Sequence, residues 1–142
     1  MSLRGDRSLV QNRLDIVEEN FRALDEIQAE GKAAYDKQVR NFLAAKHALL
    51  EATEAALDVG NHLIAANGFR RPANYADIFR VLAEAGVLPD ALAGNLESMA
   101  RFRNLLVHQY AAVDRGRVWA IVTGERKDIL RFFESVLASM GG

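Results

Sequence analysis

Apolar positions recur along this chain at helical spacing. Val10, Leu14, Val17, Phe21 and Leu24 are separated by four, three, four and three residues, one stripe on a helix. The stripe predicts a first helix from about Asp6 to Glu30, with Gly31 breaking or bending it. The next segment, Lys32 to Ala66, carries Val39, Phe42, Leu43, Leu49, Leu50, Leu57, Leu63 and Ile64 and predicts one long helix. Asn67-Gly68 closes it as a C-cap. Two helices of this length predict hairpin-like pairing in a bundle.

Arg70-Arg71-Pro72 predicts a loop, after which Asn74 caps a short third helix with Asp77 at its third position. Ile78, Phe79 and Leu82 give that helix an apolar face, and Gly86 ends it. Pro89 suits the first turn of a fourth helix, which carries Leu92, Leu96, Met99, Phe102 and Leu106. A loop is predicted near Asp114 to Gly116. Val118 to Val122 fits a strand or helical turns, and helix is preferred because the chain offers no strand to pair with it. Thr123 or Gly124 then introduces a last helix with Ile129, Phe132, Phe133, Val136 and Leu137.

The expectation is an all-α, single-domain protein over residues 1–142: an up-and-down bundle of four to five main helices with a short extra helix. Composition agrees. There are 142 residues, only 2 Pro and 8% aromatics, which argues against a sandwich or barrel. The absence of Cys removes disulfides, thiolate metal sites and a Cys nucleophile. Met1 to Asn12 is polar, without the apolar run of a signal peptide, and nothing is inferred from Met1-Ser2-Leu3. No stretch approaches the roughly 18–20 apolar residues of a membrane span. A cytoplasmic protein is therefore expected.

Net charge is −1, which excludes a strongly basic nucleic-acid binder. The charge is uneven, however: residues 101–142 hold seven Arg and Lys against four acids. That allows a local basic surface including Arg101, Arg115 and Arg117, or an ordinary solvated face. Nucleotide-binding glycine loops are absent, as are the Glu-x-x-His spacings of bundle metal sites, so no metal or cofactor is expected. Asp58 and His62, four apart, read as a plain helix pair.

The segment that carries chemistry is Arg103-Asn104-Leu105-Leu106-Val107-His108-Gln109-Tyr110. Arg-x4-His alone is expected about 0.3 times by chance, but requiring Tyr two residues later lowers that to about 0.006. Arg40-Asn41 and His47 form a similar series on the long second helix, without a following Tyr, and read as surface. Singly, each residue has an ordinary role: Arg103 in an ion pair with Glu97 or Asp114, His108 as a charge at a helix C-terminus, Tyr110 in the core.

Together, Arg103, Asn104, His108 and Tyr110 resemble the Arg-x4-His-x-Tyr motif of HepT-like proteins of the HEPN superfamily, the toxin halves of toxin–antitoxin systems. Leu57-Asp58 through His62-Leu63-Ile64, then Arg71-Pro72 and Tyr75, match the family layout more loosely. The resemblance implies a metal-independent endoribonuclease in which the RNA 2′-hydroxyl attacks the adjacent phosphate. Residue chemistry suits that role. An imidazole exchanges protons near neutral pH, so His108 is the candidate acid/base. A guanidinium stays charged and presents a donor fork to phosphate, so Arg103 is the candidate transition-state stabiliser. Asn104 is left with orientation or hydrogen bonding.

On a straight helix, Arg103 and His108 point about 140° apart. One copy therefore does not aim both at one phosphate unless the helix end unwinds. A symmetric homodimer with a composite site is the second solution, and the resemblance implies the same. It also implies a minimal nucleotidyltransferase antitoxin that attaches AMP to Tyr110, adding negative charge beside Arg103. The competing reading is a non-catalytic HEPN module that binds a nucleotidyltransferase or nucleotide. A third is a generic dimeric helical adaptor, for which His108→Ala would have no functional effect.

Overall fold

The structure is a computed structural model that describes residues 2–108 and 113–141. Among these residues the chain forms seven α-helices and no strand. They are α1 (Arg7–Glu30), α2 (Lys32–Lys37), α3 (Val39–Asn67), α4 (Tyr75–Glu84), α5 (Asp90–His108), α6 (Arg115–Ala120) and α7 (Lys127–Ser139). Helices α1, α3, α5 and α7 are the main members of the bundle, and the short α4 packs on α3 and α5.

The predicted stripe of α1 is its buried face, with Val10, Val17, Phe21, Leu24 and Ile27 turned inward against α3. Asp6 starts the helix by accepting from the Ser8 and Leu9 N–H groups at 2.9 and 3.3 Å. Gly31 breaks the helix rather than bending it: its φ of 92° is a conformation that side-chain-bearing residues avoid.

The long second helix expected from Lys32 to Ala66 is two helices. Gln38 is extended (φ −100°, ψ 102°) and separates α2 from α3. No Gly or Pro marks the break, and the packing of Tyr35 accompanies it. The Tyr35 ring is fully buried, 4.8 Å from Trp119 and 6.3 Å from Phe42 between ring centroids. Its hydroxyl donates to the Arg115 carbonyl at 2.8 Å. Burial pushes that hydroxyl's pKa up to about 12, so it remains a donor throughout the neutral range. Here tertiary packing overrides a helical pattern.

Helix α3 is the centre of the bundle. Its buried face includes Ala45, Ala48, Ala52, Ala55, Ala56 and Gly60. These small residues let neighbouring helices approach closely. At Gly60 the approach is tightest: a Cβ placed there would lie 2.5 Å from Ile78 Cγ2 on α4. Gly68 is the C-cap of α3, as the Asn-Gly pair predicts. Gly86 follows the end of α4, and Pro89 immediately precedes α5.

Val118 to Val122 is helical, spanning the end of α6 and the start of a wide π-type turn, Ile121–Glu125. Thr123 and Gly124 lie within that turn, so the last helix begins later than predicted, at Lys127. The turn is pinned to α1 by Arg126. Its Nε donates to the Val122 carbonyl at 2.6 Å, Nη1 to the Phe21 carbonyl at 3.2 Å, and Nη2 to Asp25 at 2.6 Å and Gln28 at 3.0 Å.

The N-terminal residues are part of the fold, and the expected Asp58–His62 pair is corrected. Leu3 is buried, and its N–H donates to the Ser139 carbonyl at 2.8 Å, so the first residues form a strap across the ends of α3 and α7. Asp58 and His62 are each recruited by the N-terminal part of the chain instead of pairing with one another. Asp58 accepts from Arg13 Nε at 3.2 Å, and His62 Nε2 accepts the Asp6 N–H at 2.9 Å. His47 pairs with Glu51 one turn on, in the surface role the sequence suggests.

Substitution Gly60→Ala is expected to lower stability by about 1–3 kcal/mol, because the branched Ile78 side chain cannot swing clear of the new methyl group. Urea unfolding followed by circular dichroism measures it. An unchanged midpoint would show that α4 can shift outward at no cost.

Candidate active site

Helix α5 places the motif. Leu92, Leu96, Met99, Phe102 and Leu106 are buried, which turns Arg101, Asn104 and His108 outward on one exposed stripe. The helix stays regular through His108, so its end does not unwind before the imidazole. The angular separation of about 140° between Arg103 and His108 therefore persists within one chain.

Arg103 leans the other way, toward α3 and α4, and its side chain is only 12% exposed. Nε donates to Glu54 Oε1 at 2.6 Å, with Nη2 2.5 Å from the same oxygen. Nη1 donates to Asn104 Oδ1 at 3.2 Å. The guanidinium also lies 4.8 Å from the centre of the Tyr75 ring, a cation–π contact. Arg103 is thus held by a carboxylate, an amide and an aromatic ring, with the remaining N–H groups of its fork uncommitted among the described residues.

Neither ion-pair partner suggested for Arg103 is the one it takes. Glu97 is engaged by Arg80 and, at 3.5 Å, by Arg101. Asp114 instead caps α6, accepting from Gly116 N at 2.7 Å and Arg117 N at 3.4 Å. The sequence argument missed Glu54, although it is the lone charge in the run Ala52-Thr53-Glu54-Ala55-Ala56-Leu57. That run marks the position as unusual but does not name its partner. Tyr75 entered only as a position in the loose family match.

Between α3, α4 and α5 lies a cleft of about 780 Å³, lined in part by Asn61, Tyr75, Glu97, Arg101 and Asn104. Two of the nominated residues, Asn104 and Arg101, therefore share one cavity, and Arg103 touches its Tyr75 wall. His108 is exposed in the last turn of α5. Arg115 and Arg117 are not in the cleft. The first lies over Phe42 at 4.7 Å, and the second pairs with Glu125 and lies 5.7 Å from the Phe102 ring centre. Tyr110, together with Gln109, falls outside the described residues. Among the described residues no group of three or more His, Asp or Glu is arranged to hold a metal ion. No helix described is long and apolar enough to cross a membrane.

The Tyr75 wall is fixed by a charged clasp. Arg70 donates to both oxygens of Asp77, at 2.8 and 3.0 Å, and to Glu84 at 2.7 Å. Asp77 also accepts the Ala73 N–H at 2.8 Å, and its own N–H donates to Asn74 at 2.9 Å. The Arg70 guanidinium and then the Ala73 N–H hold the Asp77 carboxyl down to about 2. Arg70 holds Glu84 below its ordinary value as well.

The sequence matches the family profile described as "Ribonuclease HepT-like" over residues 17–136, from the middle of α1 nearly to the end of α7. The chain belongs to the HepT-like family. One HepT-like relative, the mRNA nuclease HepT of Shewanella oneidensis, is 28% identical over 85 residues, or 60% of this chain and 64% of that protein. The match thus spans just under two thirds of the length of that curated relative. Two solved structures share the fold. A chain of a toxin–antitoxin crystal structure with AMP-PNP superposes with a TM-score of 0.87 at 20% identity, covering 92% of this chain and 98% of that one. The tri-AMPylated HEPN toxin of Shewanella oneidensis, in complex with MNT antitoxin, superposes with a TM-score of 0.85 at 21% identity, covering 92% and 97%. The HepT-like bundle is therefore shown by both sequence and shape.

The Asp77 clasp predicts an acid-sensitive component of stability. Its folded-state pKa lies below the ordinary value of 3.8, so the contribution is complete above that value and is lost as pH falls toward about 2. Urea midpoints of the wild type should fall more steeply across this window than those of Arg70→Ala. Parallel curves would show that the clasp adds nothing to folding.

Proposed function

We propose that this protein is the ribonuclease toxin of a toxin–antitoxin pair, a single helical unit across residues 1–142 that acts in the cytoplasm. Its reaction is metal-independent RNA cleavage by the substrate's own 2′-hydroxyl. The observation that carries the reading is the HepT-like match over residues 17–136, which includes Arg103, Asn104 and His108 at the end of α5. The 2′-oxygen bonds to phosphorus, the bond from phosphorus to the 5′-oxygen breaks, and the products are a 2′,3′-cyclic phosphate and a 5′-hydroxyl. His108 accepts the proton from the 2′-hydroxyl or supplies one to the leaving oxygen. Arg103 directs its uncommitted N–H groups at the non-bridging oxygens as charge builds there. Glu54 and Asn104 orient that fork. Arg101 adds attraction for the backbone near the cleft, and Arg115 and Arg117 do so farther along the RNA.

The divergence of Arg103 and His108 on one helix supports a composite site, with each cleft served by the motifs of two copies related by a two-fold axis. No metal or cofactor is needed for this chemistry. The partner is a minimal nucleotidyltransferase that neutralises the toxin by attaching AMP to Tyr110, where the added phosphate competes with RNA for Arg103. One observation favours a second reading, a non-catalytic HEPN module: Arg103 is already paired with Glu54 and largely covered.

Total RNA incubated in EDTA with purified, unmodified protein separates the two. Wild type is expected to cleave and to leave cyclic phosphates, with Arg103→Ala and His108→Ala each slower by about 100-fold or more. No cleavage by folded wild type would sink the ribonuclease reading in favour of the module. Full activity in a species that sediments as a monomer would remove the composite site.

A further inference from the structure

We propose that Tyr75 is a nucleobase platform: an unpaired base of single-stranded RNA stacks on its ring in the cleft while Arg103, packed against the same ring, holds a neighbouring phosphate. This deepens the ribonuclease reading and rests on it.

Tyr75 is 52% exposed, in a chain whose other described tyrosine, Tyr35, is completely buried. An exposed aromatic ring gains little from folding, so its position calls for a different account. The ring stands in the wall of the 780 Å³ cleft, a volume in the range of small-molecule and nucleotide pockets. Arg103 covers part of the ring at 4.8 Å, and half of the Tyr75 surface stays open to a ligand. Every base has a flat π-face, so a ring presented in this way binds single strands with little regard to sequence. Two amides on the cleft wall, Asn61 and Asn104, each offer donors and an acceptor to a base edge. Such groups accept many edges and select none strongly.

Two features make the ring a prepared surface. The Arg70, Asp77 and Glu84 clasp fixes the loop that precedes Tyr75, and Arg103 restrains the ring from one side. Binding therefore requires little further ordering of the protein. The contact between Tyr75 and Arg103 also links the two halves of a nucleotide. A base on the ring excludes water from the guanidinium beside it, which strengthens the hold of Arg103 on phosphate.

The test uses short single-stranded RNA in EDTA, with two readouts. In steady-state cleavage, Tyr75→Ala and Tyr75→Leu are expected to raise KM roughly 5- to 150-fold, the range for loss of one base–aromatic stack, with a smaller change in kcat. Tyr75→Phe, which keeps the ring, should resemble wild type. A fall in kcat at constant KM would overturn the proposal and leave Tyr75 as a positioning residue for Arg103. In the second readout, 2-aminopurine is placed at successive positions of the RNA and bound to His108→Ala protein. Quenching at one or more positions that vanishes when Tyr75→Ala or Tyr75→Leu is added to His108→Ala supports the platform. Quenching that survives those substitutions, or none at any position, overturns it. If wild type binds RNA but cleaves none, the fluorescence result alone decides the platform, and only the ribonuclease reading falls. Circular dichroism melts confirm that each variant is folded.

Discussion

The bundle depends on how closely helices can approach α3. Side chains of Ala45, Ala48, Ala52, Ala55 and Ala56 keep its inner face shallow, and Gly60 removes the last obstacle at the crossing with α4. Dispersion falls off steeply with distance, so close backbone approach yields dense packing from small residues. Larger aromatics are thereby left to fill the volume nearer α7, where Phe79, Phe132 and Phe133 meet edge to face at 5.5 and 5.4 Å. The crossing also shapes the candidate site. It brings the first turn of α4 beside the end of α5, so that Tyr75 reaches Arg103.

Arg103 ties the candidate site to the fold. Its pairing with Glu54 joins α5 to α3, and its contact with Tyr75 joins α5 to α4. A guanidinium covered this far would be costly without a carboxylate partner, and Glu54 supplies one. The same carboxylate offsets the charge that a phosphate would seek. The candidate site is therefore a balance: Glu54 keeps the cation ordered in the free protein, and a bound phosphate must share it.

Much of the fold was legible in the sequence because helical amphipathicity is local. Stripes such as Val10, Val17, Phe21 and Leu24 on α1, and Leu92, Leu96 and Phe102 on α5, identify the buried faces without any tertiary information. Caps were equally readable, since Asn74 and Gly68 act within one helical turn. What escaped was set by distant partners. The break at Gln38 goes with a hydroxyl that reaches across 80 residues to Arg115, and the late start of α7 goes with Arg126 reaching α1. At the candidate site, the motif spacing nominated Arg103, Asn104 and His108, which one helix carries. Glu54, 49 residues away in sequence, has no local signature linking it to Arg103.

The strap at the start of the chain has a topological consequence. Leu3 bonds to Ser139, and Arg7 Nη2 donates to the Gly141 carbonyl at 3.0 Å, so the two ends of the described chain are neighbours. Arg4 and Asn67 tie the same corner to the end of α3 through bonds of 2.9 and 2.8 Å. The path of the chain is nearly a closed ring. A short peptide joining the ends would complete it, and the ring could then be opened at an exposed helix connection without changing the order of packed helices in space. The connection between α3 and α4 is the wrong place for that opening, since it carries the clasp that holds Tyr75.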